Sequence, residues 1–280
     1  MMRDHGPVNE AMKSDLLQRI EAYLDAAPRS AAEPEAVGKF TLFRPLGPWK
    51  YYARPRLGLD QPIESADVDE LRRRQRELEL PEKIEWVVQN APTLRSAARA
   101  SGLTVTEYPM LALLAAEGAD VPAPEGVEIR LVDPDDEWFA AAHAVADVGF
   151  GASGTQIGPQ GVVDRDARAA ATKPETLDFM GERARRGWSV SYAAFDATGP
   201  IAVGTHQPVD GATEIVGVAT LPSARRRGIA AALTAALLAD ARGRGVVTVF
   251  LGADSDDVAR IYERVGFARI GSTGAAEPPE

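Results

Sequence analysis

The 280-residue chain has no cysteine and only three histidines, spread far apart. This removes a disulfide framework, a thiolate metal site and a cysteine nucleophile, and the histidines are too scattered to form a metal cluster. Long apolar runs are lacking as well. The longest near-apolar stretch, Ile229 to Ala239, falls short of the about 20 residues that a membrane helix needs. No basic segment leads into an apolar one at the N-terminus, so no signal peptide and no membrane partner are expected. Positive charge is in deficit. The net charge of −10 argues against a general nucleic-acid binder and would suit a cationic partner. What is present, 45% hydrophobic and 26% charged residues, is the composition of a globular cytoplasmic protein of one or two domains.

The densest signal runs from Glu214 to Ala230 (EIVGVATLPSARRRGIA). Ile215, Val216 and Val218 are the β-branched residues of a buried strand, and Pro222 ends it because proline cannot donate to a ladder. Arg225-Arg226-Arg227-Gly228 follows, and then Leu233, Leu237 and Leu238 carry an apolar helical stripe. A helix that starts this way aims unpaired N–H groups and a positive dipole end at one spot, which suits a phosphate. Gly228 allows close approach and Ala230 leaves room. Three arginines at a helix N-terminus are unfavourable unless an anion sits there.

Arg225-x-x-Gly228-x-Ala230 after a strand resembles the Arg/Gln-x-x-Gly-x-Gly/Ala loop of the GNAT N-acetyltransferase superfamily. A second match lies at Ser255 to Phe267 (SDDVARIYERVGF), similar to that family's Asn-x-x-Ala-x-x-Leu-Tyr-x-x-x-Gly-Phe helix. Ile261-Tyr262 and Gly266-Phe267 fit, whereas Ser255 stands where asparagine is common and Val258 where alanine is. Val246 to Leu251, between the two matches, reads as a parallel strand, so the order is that of an α/β crossover unit. The resemblance implies a mixed sheet flanked by helices, with two central strands splayed apart around the pantetheine arm of acetyl-CoA.

Along the chain, Met1 to Glu10 reads as disordered, Ser14 to Ala27 as a helix, and Pro28 to Gly38 as a linker. Strands are expected at Phe40–Leu46 and Lys50–Ala53, a helix at Asp67–Leu80, a strand at Lys83–Gln89, a helix at Thr93–Ser101 and a strand at Thr104–Leu114. Glu117 to Gly126 reads as a second linker. The helix, strand and helix ending at Gly102 parallel those ending at Gly266, with Trp86 falling on Phe250 and Ala98 on Tyr262. The expected organisation is therefore a degenerate GNAT-like lobe over 1–122 and a catalytic lobe over 123–280. In the second lobe a strand is expected at Val127–Leu131, helices at Glu137–Val148 and Lys173–Arg186, and a glycine-rich loop at Phe150–Gly161. The family builds its acceptor site in that helical region. An antiparallel pair is expected at Ser189–Asp196 and Gly199–Val209, with turns at Asp196 to Gly199 and at Asp210-Gly211.

The resemblance implies an acetyl-CoA-dependent transfer to a primary amine by direct attack on the thioester. Backbone N–H groups of Val218, Ala219 and Thr220 would hold the carbonyl and pantetheine. Arg225, Arg226, Arg227, Gly228, Ile229 and Ala230, with Ser255, would hold the cofactor. Tyr262 is the candidate general acid, since a phenol can protonate a departing thiolate; a core tyrosine is the plainer alternative. Glu214 is the candidate base, or else an exposed strand carboxylate. His206 is a further candidate base, or a half-buried structural histidine. No metal is implied, and the protein would act as a monomer or homodimer. The alternative function is a catalytically silent acyl-CoA-binding sensor of the same fold.

Overall fold

The computed structural model describes residues 10–114, 121–152 and 154–279. The segment expected to be disordered lies outside them except for Glu10, as do residues 117–120 of the second linker. Contacts sort the chain into two compact units, one running to Met110 and including Ile270 onward, the other Leu111–Arg269.

In the first unit, α1 (Glu10–Ala26) buries Leu16, Leu17, Ile20 and Tyr23, the stripe its spacing predicts. The stretch read as a linker instead contains β1 (Ala32–Val37), paired antiparallel with β2 (Phe40–Pro45). Pro34 concealed it. A proline is tolerated on an edge strand, and β1 is the edge here. The next strand falls later than expected, as β3 (Ala53–Pro55). α2 (Ser65–Glu77) begins where the Asp67 carboxylate accepts the Glu64 N–H at 2.8 Å. Then follow β4 (Ile84–Val87), α3 (Leu94–Ala100) and β5 (Thr104–Leu113). β4 runs parallel to β3. Its other neighbour is β11 (Phe267–Glu277), whose Thr273–Ala276 pair antiparallel with Val87–Ile84. β11 has no counterpart among the expected elements, because from Gly271 to Ala276 it is built of Gly, Ala, Ser and Thr rather than β-branched apolar residues. Those small residues are required. A Cβ on Gly274 would collide with the indole of Trp86, the largest fully buried side chain of this core.

The second unit holds β6 (Glu128–Leu131), α4 (Phe139–Gly151), α5 (Val162–Ala171), α6 (Pro174–Arg185), β7 (Val190–Asp196), β8 (Gly199–Val209), β9 (Ala212–Thr220), α7 (Ile229–Gly243), β10 (Thr248–Gly252) and α8 (Asp256–Glu263). Sheet order is β10-β9-β8-β7-β6, antiparallel throughout except for β10 on β9. Both expected turns form. Asp210 and Gly211 take φ of 48° and 77°, the left-handed pair a two-residue hairpin needs. α5 has no counterpart among the expected elements. It is fixed by Arg165, fully buried, which donates to the Pro200 and Thr198 carbonyls at 2.8 and 3.0 Å and lies over Trp138. Leu111 of β5 enters this core beside Val249, Leu251 and Phe267.

The same order, strand, helix, parallel strand, helix, strand, thus occurs twice: β3-α2-β4-α3-β5 and β9-α7-β10-α8-β11. In both, a left-handed glycine follows the second helix, Gly102 at φ 80° and Gly266 at φ 103°. Each unit also takes in residues from the other copy's last strand: β11 in the first, the end of β5 in the second.

His143 lies on α4 with its ring against Phe139, centroids 4.6 Å apart, and burial holds its imidazole down to about 4. The unfolded chain takes up that proton near pH 6.5 and the folded one only near 4, so the stability is present above 6.5 and lost as pH falls between the two. Urea midpoints for wild type and His143→Gln should therefore converge on acidification, wild type losing on the order of 2 kcal/mol more between pH 7 and 4.5. Parallel losses would contradict this origin.

Candidate functional site

The site begins with a flaw in one ladder. β8 and β9 pair Val203 with Ala219 and Thr205 with Val216, so Gly217 and Val218 both stand opposite Gly204. Gly217 takes φ +65°, as a bulge with a left-handed first residue requires. Gly204 is glycine for another reason: a Cβ there would meet Leu237 of α7 at 2.9 Å. The bulge lets α7 sit close on the sheet and bends β9. On its other side β9 pairs with β10 only at Ala212, Thr213 and Glu214, matched to Thr248, Val249 and Phe250. Beyond that vertex the strands part. Val218, Ala219 and Thr220 then have no ladder partner on β10 among the described residues.

β9 runs into Leu221, Pro222 and Ala224, all buried, which form the floor of the following loop. Arg226 takes φ 67°, rare and costly for a residue with a side chain, and Gly228 takes φ 80° as the N-cap of α7. No side chain caps this helix, and its first turn has no acidic residue. The N–H groups of Ile229, Ala230 and Ala231 are thus left to an outside acceptor. Gly228 has open space where a Cβ would stand. Arg226 and Arg227 are exposed, and Arg227 comes within 3.9 Å of Asp196. Arg225 differs. Its half-buried guanidinium donates to the carbonyls of Gly149 (2.7 Å), Ala152 (3.1 Å) and Gln156 (3.2 Å).

Tyr262 sits on α8 in a cluster with Leu251, Val265 and Phe267, and Val218 and Ala231 pack on the same cluster. The structure therefore joins the acid candidate, the parted strand and the first turn of α7. The ring is buried edge-on to Phe267 at 6.1 Å, and burial pushes the phenol up to about 12. Its hydroxyl bonds to no protein group among the described residues, and it is not one of the sealed polar atoms of the core. Glu214, half-buried, is the last β9 residue still paired with β10. Ser255 caps α8, its hydroxyl accepting the Val258 N–H at 3.4 Å.

His206 has a different setting. It is fully buried, with Nδ1 3.1 Å from Thr213 Oγ1 and Nε2 2.9 Å from Asp240 Oδ2. Asp240 also accepts from Tyr192, at 3.1 Å, and from Arg244. Burial pulls His206 down further than Asp240 holds it up. Burial would raise Asp240, but Arg244 and His206 outweigh it and keep the carboxylate charged. Asp240 lies eleven residues from Ile229, roughly 16 Å along α7, so this network braces the far end of the helix.

Residues 163–267 match the model of the acetyltransferase (GNAT) family. The match lies within the C-terminal half of the chain. A comparison with curated protein sequences finds no match. Among solved structures, a GCN5-related N-acetyltransferase from Kribbella flavida is 21% identical, with a TM-score of 0.71 over 94% of this chain and 96% of that one. A GCN5-related N-acetyltransferase-like protein from Streptococcus suis is 15% identical, with a TM-score of 0.55 over 95% and 99%. A tandem GNAT protein from the clavulanic acid biosynthesis pathway is 15% identical, with a TM-score of 0.53 over 97% of each chain. At these identities the likeness is one of fold, and the GNAT fold extends across nearly the whole chain.

Gly217 is the hinge of the parted strand, and its positive φ penalises any Cβ although space is open. Gly217→Ala should lower stability by about 1–2 kcal/mol in urea unfolding. Gly243→Ala, at the open end of α7 with no such φ, should change it little or raise it slightly. Equal effects from the two would mean that the bulge carries no strain.

Proposed function

We propose that this GNAT protein is an acetyl-CoA-dependent N-acetyltransferase that acylates a primary amine of a small molecule or peptide. The carrying observation is the parting of β9 and β10 beside an uncapped α7 N-terminus, with Tyr262 packed in the same cluster. The donors fit a pyrophosphate: first-turn N–H groups, the Arg226 and Arg227 side chains, and no acid in the first turn. In this reading Gly228, Ile229 and Ala230 hold the phosphates, and Val218, Ala219 and Thr220 offer backbone groups to the thioester arm. Acetyl-CoA supplies an activated acyl group. The catalytic half spans 123–280, and the degenerate copy over 1–122 lacks both the Arg-x-x-Gly-x-Ala loop and a tyrosine at Ala98. The proposal places the protein in the cytoplasm, and no described helix is long and apolar enough to cross a membrane.

In the proposed reaction, Glu214 takes a proton from the ammonium, directly or through water, and frees the lone pair that attacks the thioester carbonyl. The β9 N–H groups stabilise the oxyanion. Tyr262 gives its proton to the departing thiolate, and the phenolate left behind takes the second proton from the acylated nitrogen, so that amide and thiol leave neutral. A phenol held near 12 stays protonated at working pH, and the leaving thiol has a pKa of about 8.5, so it can donate only where thiolate develops beside it.

Calorimetric titration should find one acetyl-CoA site per chain, abolished in an Arg227→Glu, Gly228→Asp double variant. Two sites would mean that the N-terminal copy also binds, and none would overturn the proposal. Tyr262→Phe should lower turnover about 100-fold with acetyl-CoA affinity nearly unchanged. Binding without turnover of any amine, in wild type as in this variant, would instead favour the silent acyl-CoA sensor.

A further inference from the structure

We infer that Arg225 is a positioning residue whose side chain ties the cofactor loop to the α4–α5 segment instead of contacting the cofactor. The inference rests on the proposed function only in naming the two edges it joins. The motif resemblance implies Arg225, Arg226 and Arg227 together as cofactor ligands, and the geometry separates the first from the other two. Three of its five N–H donors already lie on the carbonyls of Gly149, Ala152 and Gln156. Gly149 is in the last turn of α4 and Ala152 is its C-cap. Helix-end carbonyls lack intrahelical donors and favour a cation.

Other contacts follow the same seam. Gly158 N–H donates to the Pro222 carbonyl at 3.1 Å, and Ser223 N–H donates to the Gln160 carbonyl at 3.0 Å. A Cβ on Gly149 would come within 2.9 Å of Ala219 Cβ, and one on Gly161 within 2.8 Å of Ser223 Oγ. The α4–α5 segment is therefore fitted against the backbone from Ala219 to Arg225. Arg225 reaches across this seam and binds three separate carbonyls of that segment. A shift of the cofactor loop would pass through it to the α4–α5 segment.

Hydrogen exchange on the full chain tests this with wild type, Arg225→Ala and Arg225→Lys, each also titrated with acetyl-CoA. In Arg225→Ala, peptides covering the α4–α5 connection should exchange at least about tenfold faster, with β7 and α7 unchanged. Arg225→Lys, which keeps the charge with a single ammonium, should restore part of that protection. Acetyl-CoA affinity should change less than about threefold in either variant. Unchanged exchange in the connection would overturn the inference, as would a tenfold loss of affinity with exchange unaltered. If Arg225→Ala unfolds globally, Arg225→Lys decides by the same two readings. If wild type binds no acetyl-CoA, the acetyltransferase reading fails while the exchange comparison still judges the tie.

Discussion

The separation of β9 from β10 after Glu214 and Phe250 is the constraint on which the rest of this molecule turns. A parallel pair that stayed closed would satisfy its own backbone and present nothing. Two glycines open it. Gly217 supplies the left-handed residue of the bulge, and Gly204 lets Leu237 press where a side chain would otherwise stand. The same press seats α7 low on the sheet, so that its bare N-terminus begins just past the end of β9. Tyr262 of α8 belongs to the cluster on which Val218 and Ala231 pack. Strand, helix start and phenol thus meet beside one distortion.

Much of the site could be read from the sequence because its requirements fall on neighbouring residues. A strand, a proline stop, an arginine-glycine loop and a leucine stripe follow one another from Glu214 to Leu238, and each is local chemistry. The place of Tyr262 on α8 was legible through its spacing to Gly266. The destination of Arg225 was not, since its partners are carbonyls about 70 residues away, and carbonyls leave no mark on residue identity. His206 could have been base or brace by composition alone. Only the fold shows both ring nitrogens engaged.

The missed elements share a cause. β1 carries a proline, β11 is made of small residues from Gly271 to Ala276, and α5 is held by one buried arginine. Each is stabilised by something distant: the neighbouring β2, the Trp86 indole that needs Gly274, or the β7–β8 turn that receives Arg165. Tertiary partners outweigh weak local preference in all three. α1 and α7, by contrast, appear where their buried leucines and isoleucines place them.

β11 also bears on how the protein comes into being. The ribosome makes the first unit early, yet the strand beside β4 is encoded after all of the second unit. Until that strand arrives, β4 presents an open edge and Trp86 lacks the backbone that fits against it. The unit synthesised first is therefore the last to be finished. A nascent chain must keep that edge from pairing elsewhere while the second unit emerges.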